Sequence, residues 1–224
     1  MQISKHELVK MIDISAVKAD SSVNEIKAIV NSAKEHHFIC VFTLPAFAPY
    51  AKKYLGQNSD IMLGGTVGFP SGASSTSVKS LEAKELLDIG CHELDMVINI
   101  GKLKSKLYDD VAAEIITIVK IAGLVPLKVI LETSLLNDYE IQEGAKIVRD
   151  CGAKFIKTGT GWNGITKQHH IEIIKQTVGE GIPLKVAGGV RDLNTLLMFL
   201  QMGVSRFGIG YQSAINIIHE LDNK

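Results

Sequence analysis

Eight short apolar runs alternate with amphipathic stretches along the whole of this 224-residue chain, and that alternation constrains the fold more than any other feature. The runs fall near Met11–Ser15, Phe38–Phe42, Ile61–Val67, Glu93–Asn99, Leu127–Thr133, Lys154–Thr158, Leu184–Ala187 and Arg206–Gly210. Between them lie segments such as "SVNEIKAIVNSAKEH", "SVKSLEAKELLDIG", "YDDVAAEIITIVKIAG" and "DYEIQEGAKIVRDCG". Several of these carry apolar residues at i, i+3 and i+4, and several end in Gly, the residue that tolerates the left-handed helix stop. Strands alternating with helices predict parallel βαβ units.

Parallel units close into a barrel or open into a doubly wound sheet, and the strand faces favour the barrel. In "ELDMVIN", Leu94, Met96 and Ile98 share one face while Glu93, Asp95, Val97 and Asn99 share the other. Leu184 and Val186 likewise oppose Lys185 and Ala187. An open sheet covered by helices on both sides wants two apolar faces. A barrel wants apolar residues outward, under its helices, and holds polar ones at its catalytic mouth. The expectation is therefore one α/β domain over residues 1–224, a (β/α)8 TIM barrel with a short N-terminal helix; a doubly wound sheet is the alternative. The length fits, since such barrels run to about 200–250 residues as one unit.

Composition removes several classes of function. Lys plus Arg equals Asp plus Glu at 24 each, so no electrostatic footprint for nucleic acid or an anionic membrane is present. The longest apolar stretches are broken by charges or Pro, and the N-terminus "MQISKHELVKMID" has no signal-peptide core. Cys40, Cys91 and Cys151 are scattered and odd in number, which fits a reduced, cytoplasmic protein. The seven histidines fall on expected helices, loops or strand starts, and "HH" at 169–170 reads as a solvated helix start. No metal-ligand spacing is present, so neither metal nor other cofactor is expected. Gly159, Gly161 and Gly164 spell GxGxxG, but after the sixth strand and without a ribose-binding acid about 20 residues on, so no dinucleotide site is expected.

Polar residues near strand C-terminal ends carry the chemistry of barrels, and four stand out: Asp95, Glu132, Lys157 and Lys185. Burying an ammonium costs several kcal/mol unless it is compensated, so "KFIKTGTGW" does not end a strand in Lys157 without a reason. Lys157 and Lys185 lie on consecutive strands and face inward. Two adjacent cations in a dry pocket disfavour each other's charge, and a neutral lysine adds to carbonyls as a Schiff-base nucleophile. Asp95 then relays protons or holds the second lysine charged. The competing reading is a set of salt bridges that merely satisfies a polar barrel mouth. Glycine clusters follow strands six to eight in "GTGWNG", "AGGVRD" and "GIGYQSA". They are either tight turns or an anion cradle of backbone N–H groups, with Arg191 and Arg206 available as further phosphate partners. Cys40 is expected in the barrel wall as core.

Taken together in order, "GTVGFPSG", "AKELLDIGCHELDMVINIG", "LKVILETSLL", "KFIKTGTGW", "LKVAGGVRD" and "GVSRFGIG" resemble the deoxyribose-phosphate aldolase family of class I aldolases. The resemblance implies a (β/α)8 barrel, metal-independent reversible cleavage of 2-deoxyribose 5-phosphate to acetaldehyde and glyceraldehyde 3-phosphate, and a homodimer. It places Lys157 on the Schiff-base lysine, Lys185 on the lysine that depresses its pKa, and Asp95 on the proton-relay acid. Asp13 and Ser15 match the early D-x-T segment. Thr158, Gly188, Gly189, Arg191, Gly208 and Gly210 are the further expected substrate-binding residues. The chain departs from the family pattern where Gly159 replaces a serine, where Gly208-Ile209-Gly210-Tyr211 lacks the usual G-x-S hydroxyls, and at Trp162, where many members have Phe or Lys. The expectation is a narrower preference for phosphorylated substrate. A related aldolase for a non-phosphorylated hydroxy-aldehyde and a silent binding barrel are the alternatives.

Overall fold

The computed structural model describes residues 3–223, and they form a closed barrel of eight parallel strands in sequence order. The strands are β1 Ile12–Ala16, β2 Cys40–Thr43, β3 Met62–Val67, β4 Glu93–Val97, β5 Leu127–Ile130, β6 Phe155–Lys157, β7 Leu184–Ala187 and β8 Arg206–Gly210, with β8 pairing back onto β1. The helices are α1 Lys5–Val9, α2 Val23–His36, α3 Ala48–Leu55, α4 Thr76–Ile89, α5 Ile100–Lys104, α6 Tyr108–Ala122, α7 Asp138–Asp150, α8 Gln168–Val178, α9 Leu193–Gln201 and α10 Tyr211–Asp222. The expected barrel and its short N-terminal helix are both present. Helix α1 is fixed by a capping box between Ser4 and Glu7 and buries Leu8 and Val9. Among the described residues no helix is long and apolar enough to cross a membrane.

Every strand sits where the apolar runs placed it, with β7 and β8 matching at both ends and no other end displaced by more than three residues. The fourth, fifth and sixth strands stop early because their C-terminal residues turn into the loops of the mouth. Glu132 has φ 58°, a left-handed conformation that no strand continues through, and Thr133–Leu135 form a 3₁₀ turn. Helix ends follow their sequence signals: Ser75 caps α4 through the Val78 N–H, and Gly90 at φ 92° donates to the Leu86 and Leu87 carbonyls.

The strand alternation separates two cores. Outward residues such as Ile12, Ile14, Leu63, Leu94, Met96, Val129, Leu184 and Val186 are buried beneath the helices. Inward positions carry the buried strand charges Asp13, Glu93, Asp95, Lys128, Lys157, Lys185 and Arg206, with Phe42 set among them. Gly64 stands opposite Phe42 in the β2–β3 register, and a Cβ there would run into the Phe42 ring. Glycine is needed at 64 for that close approach. Gly64→Ala is therefore expected to overpack the barrel interior and lower stability by about 1–3 kcal/mol. Urea unfolding checks this, and an unchanged midpoint would show that the ring moves aside freely.

Candidate active site

Lys157 ends β6 and Lys185 is its register partner on β7, so the two inward side chains meet at one level of the barrel. Between them lies Asp95 of β4. Its Oδ2 accepts from Lys157 Nζ at 2.7 Å and from Lys185 Nζ at 2.6 Å. Asp95 is fully buried, Lys185 nearly so, and Lys157 retains a small exposure of 6%. Only Lys157 and Lys185 of the three reach the cavity at the C-terminal mouth.

Beneath this layer the barrel is filled by a second set of charges. Asp13 lies 2.6 Å from Lys185 Nζ and accepts from Arg206 Nε at 2.7 Å. Arg206 also donates to Glu93 at 3.0 Å, and Lys128 pairs with Glu93 while standing 3.6 Å from Asp95 Oδ1. Among the described residues, three carboxylates (Asp13, Glu93 and Asp95) thus face four basic groups (Lys128, Lys157, Lys185 and Arg206) in one buried volume. One cation is in excess. An uncompensated buried charge is costly, so the group with the weakest hold on its proton gives it up.

That group is Lys157. Burial is the largest influence on it and brings its pKa down to about 8; Asp95 opposes the shift and the Lys185 charge adds to it. Lys185 goes the other way. Burial lowers it, but Asp13 and Asp95 outweigh the loss and hold its ammonium well above the ordinary lysine value. Burial pushes the Asp95 carboxyl up, yet Lys157, Lys185 and Lys128 together keep it far below the usual carboxylate range. A single carboxylate oxygen shared by two amines gives neither its full support, and Lys185 has a second carboxylate where Lys157 has none. The mutual repulsion of the lysines contributes as expected, but desolvation leads.

The cavity has a volume of about 260 Å³ and opens at the C-terminal end of the strands. Ser15, Gly188, Gly189, Arg191, Gly208 and Gly210 line it, and Asp13 forms part of its floor. Gly188 (φ 92°) and Gly189 (φ 94°) are left-handed, and a Cβ on Gly188 would meet the Gly164 carbonyl at 3.0 Å, so this loop is built on glycine for shape. Helix α10 begins at Tyr211 after Gly210, which offers no side chain to its first turn, and Ser213 turns into the cavity from that turn. Tyr211 lines an adjoining hollow of about 310 Å³ instead of the main cavity.

Four expected placements do not hold. Thr158 is buried and turned outward: its hydroxyl lies 2.7 Å from that of Thr166 and donates to the Ala187 carbonyl, so it braces β6 against β7 and touches no substrate space. Alternation after an inward Lys157 requires this. Arg206 opens β8 at the far end from the mouth, tied to Asp13 and Glu93, and is no phosphate partner. Of the two histidines, His169 is exposed beside Asp138, but His170 is buried with Nδ1 3.0 Å from the Thr133 hydroxyl. Glu132 is a brace as well, its Oε2 accepting the Thr160 N–H at 3.1 Å. Cys40 is buried core, its thiol pushed well up by burial and then by Asp13 and Glu93. Asp13, Cys40 and Glu93 converge closely enough to suggest metal donors, but Arg206 already occupies both carboxylates.

Four residues of the site escaped sequence reasoning. Lys128 shares an inward face with Ile130 in "LKVI" by the same alternation that exposed Lys185, but it lies one layer below the mouth. Phe42 places its ring 4.0 Å from Lys185 Nζ, with Lys128 at 5.2 Å and Lys157 at 6.0 Å. Lys18 and Ser213 reach the cavity from loop and helix positions that no strand periodicity marks.

A closed parallel barrel with a buried amine of lowered pKa at its C-terminal mouth has what a lysine-dependent, carbonyl-adding enzyme needs. Residues 7–217 match the model of the DeoC/LacD family aldolases. The chain belongs to that family. A deoxyribose-phosphate aldolase of Rhizobium meliloti (strain 1021) is 39% identical over 219 residues, covering 97% of this chain and 88% of that protein. One from Coprothermobacter proteolyticus is 39% identical over 216 residues, covering 96% and 97%. Among solved structures, an aldolase designated QR15 superposes with a TM-score of 0.89 at 34% identity, covering 96% of this chain and 95% of that one. Deoxyribose phosphate aldolase from Aeropyrum pernix, described as tetrameric, shares the fold with a TM-score of 0.88 at 24% identity, covering 98% and 92%.

Proposed function

We propose that this chain is a class I aldolase that cleaves 2-deoxyribose 5-phosphate reversibly to acetaldehyde and glyceraldehyde 3-phosphate. The observation that carries the reading is the shared Asp95 carboxylate, which leaves Lys157 as the buried amine able to be neutral near pH 8 while Lys185 stays charged. Neutral Lys157 adds to the C1 aldehyde, and loss of water gives a protonated imine. That iminium restores the fourth positive charge to the network, where Asp95 offsets it. The iminium draws in the electron pair of the breaking C2–C3 bond, leaving an enamine on the lysine and releasing the three-carbon aldehyde phosphate. The proton of the C3 hydroxyl passes through cavity water to the Asp95–Lys185 pair and returns to C2 of the enamine. Hydrolysis then frees acetaldehyde and Lys157. Proton relays of this type contribute about 10²–10⁴-fold. A retro-aldol assay coupled to detection of glyceraldehyde 3-phosphate tests the reading, and no turnover of deoxyribose 5-phosphate would refute it.

The phosphate falls, on this reading, at the polar wall of Gly188, Gly189, Ser213 and Arg191, before the uncapped first turn of α10. Ser213 supplies a hydroxyl near where the family's G-x-S serine is missing. A hydrogen bond to a charged group is worth about 1.5–3 kcal/mol, or tenfold or more in affinity. Deoxyribose 5-phosphate is therefore expected to exceed free deoxyribose in kcat/KM by about tenfold or more; equal values would transfer the assignment to a non-phosphorylated hydroxy-aldehyde. A homodimer in a reducing cytoplasm completes the proposal, supported by the family resemblance and by three unpaired cysteines. Light scattering against the 24.3 kDa chain mass checks the dimer.

A further inference from the structure

Trp162 stands in the loop after β6 with 44% of its surface exposed, an unusual setting for the chain's single tryptophan. Its position is fixed from both ends. Its backbone N–H donates to the Thr160 hydroxyl at 3.0 Å, and the Thr160 N–H in turn is held by buried Glu132 at 3.1 Å. Gly161 at φ 82° makes the turn that throws the indole across the mouth. At its far end, Nε1–H donates to the Val17 carbonyl at 3.0 Å, in the loop after β1. The ring meets Phe69, in the loop after β3, edge to face at a centroid distance of 6.1 Å and an interplanar angle of 86°. Val17, Phe69 and Trp162 all line the cavity that holds Lys157. One side chain thus ties three βα loops together and adds an apolar surface to a cavity also lined by Gly188, Gly189 and Arg191.

We propose that Trp162 is a specificity-determining residue that limits the length of the aldehyde the enzyme accepts as its electrophilic partner. The inference deepens the aldolase reading and rests on it. In the synthetic direction the acetaldehyde enamine on Lys157 attacks the carbonyl carbon of an acceptor aldehyde, a C–C bond forms, the acceptor oxygen takes a proton, and water hydrolyses the iminium. A short acceptor fits within the cavity, whereas the tail of a long one must pass the indole. Because the indole is hydrogen-bonded to Val17 and packed against Phe69, it does not swing aside without losing both contacts. A misfit of one or a few methylenes in an apolar pocket is worth about 10–200-fold in kcat/KM.

The test measures condensation of acetaldehyde with propanal and with hexanal for the wild type, W162A and W162F. W162A removes the indole, and the hexanal-to-propanal ratio of kcat/KM is expected to rise about tenfold or more. W162F keeps the ring but loses the Nε1–H bond to Val17, and a smaller rise is expected. An unchanged or lowered ratio in W162A overturns the proposal. Should W162A fail to fold, W162F decides, and a ratio equal to the wild type's overturns it. Borohydride trapping of the wild type with acetaldehyde separates the two levels of the account. No adduct at all defeats the aldolase reading itself, whereas a trapped wild type with an insensitive ratio defeats only the role of Trp162.

Discussion

Lys157→Ala is expected to lower kcat/KM for deoxyribose 5-phosphate on the order of 10⁴-fold or more, the scale seen when a covalent nucleophile is removed. The loss falls on kcat, because every bond change after binding runs through the lysine nitrogen. Lys157→Arg is expected to be as inactive. Its guanidinium keeps its proton at any accessible pH and cannot add to a carbonyl, so restoring charge and length does not restore chemistry. The two variants differ in fold energetics. Alanine removes the excess cation from the buried network of Asp13, Glu93 and Asp95, whereas arginine makes that cation permanent. Steady-state kinetics on both, with circular dichroism to confirm folding, separates a nucleophile from a structural cation. Substantial activity in Lys157→Arg would place the nucleophile elsewhere.

Lys185→Leu is expected to move the rising limb of the pH–rate profile to higher pH. In the native site Lys157 titrates at about 8, so activity climbs as pH passes through that value and the amine loses its proton. Removing Lys185 acts twice in one direction: the repelling charge disappears, and Asp95 Oδ2, now free of its 2.6 Å partner, stabilises the Lys157 ammonium alone. Both raise the Lys157 pKa. Each unit is worth about 1.4 kcal/mol and leaves about tenfold less neutral amine at a pH below the limb. A shift of about one unit or more is the expected result. A profile unchanged in position would mean that the lysines do not communicate, and the pairing through Asp95 would lose its role.

The parts of this site visible in the sequence are those written in strand periodicity. Lys157, Lys185 and Asp95 each sit one position from an outward apolar residue, and a polar residue on the inner face of a barrel strand has few explanations other than the mouth or the charged interior. The same period marks Lys128 and places Thr158 outward. Lys128 stands on that inner face two residues short of the end of β5, below the mouth, and Thr158 follows an inward lysine and so turns away from the cavity. Arg206 failed for a reason of direction: a residue that opens a parallel strand lies below the mouth, where Asp13 and Glu93 hold its guanidinium. Lys18, Ser213 and Trp162 belong to loops and a helix start, where no period exists, and only the closed barrel brings them to one cavity. Nothing in "HH" marks which imidazole turns towards Thr133, and the fold buries that of His170.

The central claim is that Lys157, and not its partner Lys185, forms the covalent bond with substrate. Reduction with borohydride in the presence of deoxyribose 5-phosphate or acetaldehyde, followed by peptide mapping, tests it most directly. The account predicts a single secondary-amine adduct on the peptide that carries Lys157, with Lys185 unmodified. An adduct on Lys185, or full turnover with no adduct on either lysine, would contradict it.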